Sequence, residues 1–311
     1  MMVTLAEVEE MARACRNWGR WGPDDEIGTL NYVNPETTRA AAAEVKTGQI
    51  LSLAIKFGPS GPQITGQGGR FNPLHWMLAT GADSAVAGRA NGYADDVLEM
   101  PVHGATHWDC LGHVFHNGVM WNGYDMRLVG VGGASKCSIV PTNDKLVGRA
   151  VLLDMPRFKK VDWLSDGESI TPQDLDACLE SEGVTLRSAD FLLVRTGQMA
   201  RCFQQGWGTF AGGDAPGLSL ETALWLKQHE LAAVATDTWG AEVRPNAVAE
   251  MVQPWHRLAI ANVGLMVGEM FNLEQLAANC AQDGRYSSMI AAPTLPIEGG
   301  VGSPVNPLVI R

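Results

Sequence analysis

His103-Gly104-Ala105-Thr106-His107-Trp108-Asp109-Cys110-Leu111-Gly112-His113 is the stretch on which the reading of this chain turns. It holds three of the seven histidines, and a fourth, His116, follows shortly after. His103, His107, Asp109 and His113 stand at even offsets, which on extended backbone puts every side chain on one face. On a helix, at about 100° per residue, His103 and His107 would align but Asp109 would point roughly 120° away. Pro101, Gly104 and the β-branched Thr106 also disfavour a helix. Extended chain is therefore expected. A straight strand, at about 3.3 Å per residue, would hold His103 and Asp109 roughly 20 Å apart. If both bind one ion the chain must bend between them, and Gly104-Ala105 is the natural place.

Two imidazoles and one carboxylate suit Zn²⁺, Mn²⁺ or Fe²⁺ and leave coordination positions open for water and substrate. Such an ion lowers the pKa of bound water toward about 7 and polarises a carbonyl oxygen. His113, further along the same face, is placed to take a proton and return it. His116 is expected to support the site or the surface rather than to ligate. Cys110 falls on the opposite face from the histidines and reads as packing, not as a nucleophile.

Outward from this stretch the chain alternates between helix starts and strand-like runs. Thr4-Leu-Ala-Glu7 is a capping box before a helix to about Cys15. Asn34-Pro35 opens a second helix to about Val45, and Thr171-Pro172-Gln-Asp174 repeats the device. Ser219 and Asn272-Leu-Glu-Gln275 precede two more. The runs 50–55, 150–153, 191–194, 231–235 and 263–267 read as strands. Asp154, Arg195-Thr196-Gly197 and Thr236-Asp237 follow three of them, where they either face a ligand crevice or simply end the strands. From Gly58 to Gly92 glycine is frequent and regular signals are few, so long loops are expected. No linker or repeat cuts the chain. One α/β domain over residues 1–311 is expected, with an N-terminal helical extension over about residues 1–48.

Composition bounds the partners. The 311 residues are 46% apolar and 18% charged, which suits a folded protein with a sizeable core. A formal charge of −11 without any Lys/Arg cluster argues against nucleic acid and anionic membranes. No apolar run is long enough to span a bilayer, and the first twenty residues lack the apolar core of a signal peptide. Six scattered cysteines without a CxxC pair read as reduced, mostly buried thiols of a cytoplasmic protein. Gly130-Val-Gly132-Gly-Ala-Ser135 only partly echoes a dinucleotide loop, and no nucleophile elbow or Walker loop occurs. Trp76, Trp108, Trp239 and Trp255 could wall a pocket for a flat substrate, though core burial is the ordinary fate of tryptophan.

The motif resembles His-x-Gly-Thr-His-x-Asp-x-Pro-x-His, the signature of the cyclase family of metal-dependent hydrolases, which includes kynurenine formamidase and isatin hydrolase. Ala105 and Leu111 depart from it. Further likeness to longer members lies in Trp21-Gly-x-x-Asp25-Glu-Ile-Gly-Thr-Leu-Asn31, Gly148–Asp154, Ala189–Gly197 and His256 followed by Glu269. The resemblance implies a swivelling β/β/α fold with mixed sheets and flanking helices, in a homodimer or larger assembly. It implies His103, His107 and Asp109 as ligands of Zn²⁺ or Mn²⁺, and His113 as general acid/base. In two-metal members Asp109, His256 and Glu269 would hold a second ion.

The function expected is hydrolysis of an amide, imide or lactone carbonyl in a small cyclic or aromatic molecule. A non-hydrolytic cyclase or isomerase on the same scaffold is the alternative. A non-haem iron oxygenase built on His107, Asp109 and His256 is a weaker one, because it leaves His103 and His113 unexplained. A catalytically silent metal-binding protein is a further alternative.

Overall fold

The computed structural model describes residues 3–248 and 250–311. Three of the helix starts read from the sequence form as capped, whereas Thr222–Gln228 and Glu274–Asp283 begin without a side-chain cap. Thr4 and Glu7 exchange hydrogen bonds at the head of Leu5–Cys15, Asn34 caps Pro35–Ala42, and Thr171 with Asp174 caps Pro172–Glu182. Each pairing satisfies backbone N–H groups that the first helical turn leaves unpaired.

The strand-like runs assemble into one mixed sheet of nine strands. Its centre is parallel: Val147–Asp154, Phe191–Arg195, Ala233–Thr236 and Met266–Glu269 lie side by side. These strands are buried almost throughout, which is why they read as aliphatic runs rather than alternating ones. Antiparallel strands close both flanks. Ser287–Ala291, Leu308–Ile310 and Ile50–Ser52 extend one side; His107–Asp109 and then Gly302–Pro304 extend the other. Helices Pro35–Ala42, Pro172–Glu182 and Glu274–Asp283 pack on Val147–Asp154. A mixed sheet with flanking helices is the α/β arrangement expected.

Several boundaries differ. The runs expected to begin at 231 and 263 enter the sheet only at Ala233 and Met266. Residues 257–263 instead wind as a π-type helical turn, which ends at Gly264 with a positive φ of 77°. Of the run 50–55 only Ile50–Ser52 forms a strand. The helix after Ser219 starts at Thr222. The stretch 58–92 is not all loop: Leu74–Ala79 pairs with Asp95–Glu99 in a hairpin, and Gly81–Val86 is a short helix. That hairpin holds Leu74, Trp76, Met77, Leu78 and Leu98 exposed.

The polar residues at the strand ends hold the scaffold. Arg195 bridges Asp154 (2.7 Å) and Glu274 (2.8 Å), and Asp237 accepts from the backbone N–H of Thr196 and Gly197. The six cysteines are free and buried, and Cys110 Sγ points to the carbonyl of Cys137. Gly130 and Gly133 pair in a tight hairpin that opens no helix. No helix among the described residues is long and apolar enough to cross a membrane.

Candidate metal centre

The centre is built where His107–Asp109 lies antiparallel to Met266–Glu269, with His107 opposite Glu269 and Trp108 opposite Gly268. Alternation puts His107 and Asp109 on one face and Trp108 on the other, where it is buried against Phe271. A Cβ on Gly268 would stand 2.8 Å from the Trp108 ring, so glycine there lets the indole seat.

The strand is only three residues long, so the single extended face expected for all four residues does not exist. His103 arrives through a bend over 104–106, where the length argument required one. The bend is pinned from outside. Gly104 N–H donates to the Pro101 carbonyl, Gln63 Nε2 to the Gly104 carbonyl, and Thr106 Oγ1 to the Met270 carbonyl. His113 arrives by a separate turn, its N–H donating to the carbonyl of Cys110. The imidazoles of His103 and His113 then stack, centroids 4.2 Å apart.

Asp109 Oδ1 is the hub, 3.3 Å from His103 Nε2, 3.2 Å from His107 Nε2 and 3.8 Å from His113 Nε2. His103 Nε2, His107 Nε2 and Asp109 Oδ1 are buried and have no hydrogen-bond partner. Buried polar atoms are ordinarily paired, and three orphans facing one another form a donor set that fits a divalent cation. His107 Nδ1 lies 2.7 Å from the Ala105 carbonyl, which places the ring proton there and leaves Nε2 free to coordinate. Burial, with His113 next in effect, holds the His103 pKa well below its ordinary value, and burial lowers His113 too. Neutral imidazole is the form that binds metal. Burial opposes the charge of Asp109, yet the surrounding imidazoles hold its carboxyl well below the usual range.

His256 and Glu269 meet the same hub from the other side, and Asp109, His256 and Glu269 form a second set close enough to hold an ion. Their hydrogen bonding differs from that of the first set. His256 Nε2 lies 2.9 Å from Glu269 Oε1, and its Nδ1 lies 2.6 Å from Glu242 Oε1. Burial disfavours charge on His256, but the two carboxylates outweigh it and raise its pKa to about 10. Glu242 was not foreseen from sequence. Neither was Gly302, where a Cβ would lie 2.3 Å from His103 Nε2, so only glycine leaves room for that imidazole.

The remaining candidates separate. His116 is buried away from the hub between Glu9 and Asn262. Trp108 and Trp255 are core residues, Trp76 is exposed, and Trp239 lines a cleft of about 590 Å³ that reaches His113. His113 is the most accessible of the three motif histidines, with 22% of its side chain exposed against 0% for His107.

Residues 29–243 match the family model described as putative cyclase. A solved structure described as a novel cyclase is 35% identical, covers 95% of this chain and 99% of its own, and superposes with a TM-score of 0.88. Isatin hydrolase A from Labrenzia aggregata is 20% identical over 86% of this chain and 94% of its own, with a TM-score of 0.62. A predicted metal-dependent hydrolase from Bacillus stearothermophilus is 18% identical over 84% of this chain and 97% of its own, with a TM-score of 0.55. At these last two identities the likeness is one of fold. No functionally curated protein matches the sequence.

Proposed function

Because this chain belongs to the putative cyclase family, we propose that it is a metal-dependent hydrolase of an amide, imide or lactone carbonyl in a small cyclic or aromatic molecule. The observation that carries the reading is the trio of buried, unpartnered atoms on His103, His107 and Asp109 beside a histidine that opens onto a cleft. His103, His107 and Asp109 hold the ion in this reading, Zn²⁺ or Mn²⁺ by the chemistry of two imidazoles and a carboxylate. Asp109, His256 and Glu269 are the set available to a second. Bound there, the ion supplies Lewis acidity that polarises a carbonyl and acidifies water.

His113 carries the proton. Its Nε2 faces the hub and its ring borders the cleft, so it reaches both a water at the hub and a substrate in the cleft. Neutral at the outset, it accepts the proton of the water whose oxygen bonds to the carbonyl carbon. It returns that proton to the nitrogen or oxygen that leaves as the C–N or C–O bond breaks. Stacking on His103 fixes its ring plane for both transfers.

The test is a panel of lactones, imides and formamides with defined metals, run in H₂¹⁸O. One solvent oxygen in the product and loss of turnover on chelation are expected. Turnover without solvent oxygen would instead show a cyclase or isomerase.

The proposal extends to self-association. A two-stranded ribbon is marginal alone, and the exposed apolar side chains of Leu74–Ala79 and Asp95–Glu99 suit cover by a second copy. Sedimentation at micromolar concentration should read a dimer or larger, and a monomer would contradict it.

A further inference from the structure

The cleft beside His113 carries a charge pattern at odds with the rest of the molecule. Arg70, Arg244 and Arg257 line it together with His113 and Trp239, and no Asp or Glu is among its described lining residues. The chain as a whole bears a formal charge of −11. Three guanidinium groups on one small cleft of an acidic protein call for a reason.

Their present contacts do not neutralise them. Arg70 lies 4.9 Å from the Trp239 ring centroid and donates to the His103 carbonyl. Arg244 lies 5.4 Å from the same ring and donates to the Gly212 carbonyl. Arg257 donates to the Val252 carbonyl. None of the three pairs with a carboxylate within salt-bridge distance among the described residues, whereas Arg149, Arg195 and Arg201 each do. Cation–π and carbonyl contacts orient a guanidinium while leaving its charge and some of its donors available. Two cations set against one indole give a rigid, positively charged wall, and all three arginines are half-buried. In that partly desolvated setting a planar fork matches a carboxylate in two-point hydrogen bonding.

We propose that this cleft selects substrates that bear a carboxylate in addition to the carbonyl that is cleaved, with the carboxylate held by Arg70, Arg244 and Arg257 and the body of the molecule against Trp239. This rests on, and deepens, the hydrolase reading. Val114, Phe115 and Met126 supply the apolar remainder of the wall, and the volume suits a small organic acid.

The test compares binding and turnover in the full-length, metal-loaded protein. Calorimetry with benzoate and with its neutral isostere benzamide should show benzoate binding at least about tenfold tighter, as charged hydrogen bonds warrant. Arg244→Gln and Arg257→Gln should each cut that ratio by about threefold, and added salt should lower it in the unaltered protein as well. Arg257, held through one loop carbonyl, is the variant least tied to folding. A ratio near one in the unaltered protein would overturn the proposal. So would a ratio that survives both arginine changes but collapses in His107→Ala, because the carboxylate would then sit on the metal. Turnover of 3-formamidobenzoate against formanilide separates this inference from its premise. Hydrolysis of both at equal kcat/KM overturns the arginine assignment alone. Hydrolysis of neither, nor of any lactone or imide in the panel, with the benzoate preference intact, overturns the hydrolase reading and leaves the carboxylate site standing.

Discussion

Two donor sets share Asp109, and they are satisfied in opposite ways. On one side His103 Nε2, His107 Nε2 and Asp109 Oδ1 face one another without a hydrogen bond, and Glu269 Oε2 stands 3.5 Å from His107 Nε2. On the other, His256 sits between Glu242 and Glu269 with both ring nitrogens engaged. In the proposed reading a cation supplies the partner that these three atoms lack. In the second set His256 and Glu269 already pair with each other, and an ion entering it must displace that contact. Similar residue types therefore do not imply similar metal affinity. What decides is the alternative partner each ligand has.

The largest effect expected from breaking this contrast is at His107. His107→Ala removes the ligand common to the strand and the hub, and both metal content and hydrolysis should fall to background, as read by elemental analysis and initial rates. Retained metal would shift the first ion to the His256 side. Next is His113→Ala, which should leave metal content intact while lowering kcat by about 10²–10⁴-fold, the usual worth of a positioned acid/base. Full activity would remove its role as proton carrier. The smallest change is Glu242→Gln. Partners behind a ligand typically affect metal affinity or activity by about 10–100-fold. A metal titration should show the first equivalent binding as in the unaltered protein and the second, weaker equivalent changed. Loss of the first equivalent would mean that the two sets are not independent.

Much of the first set was legible because its residues are close in sequence. His107 and Asp109 need only strand alternation, and the length argument required the bend before them. His113 joined the cluster for a different reason from the one its even offset suggested: the strand ends at Asp109, and a turn returns the chain. The central strands and capped helices were legible because burial and capping are local signals. Glu242, Gly302 and the three cleft arginines were not. Each matters through where the folded chain places it, and no local pattern marks a glycine as the space for a particular imidazole or an arginine as part of a cleft wall. The hairpin Leu74–Ala79 with Asp95–Glu99 was lost among glycines because a ribbon exposed on both faces shows no apolar alternation.

The outer position of Gly302–Pro304 has a consequence for assembly. It pairs with His107–Asp109, which pairs in turn with Met266–Glu269. The centre thus depends on contacts between segments separated by well over a hundred residues. Such pairings are slow to form, because chain closure must precede any gain from contact. A partly folded chain would then offer an ion neighbouring ligands whose geometry is not yet fixed, and tight metal capture should come late in folding. In the proposed hydrolase, metal affinity assayed during refolding should therefore rise together with the docking of Gly302–Pro304 and Met266–Glu269 on His107–Asp109.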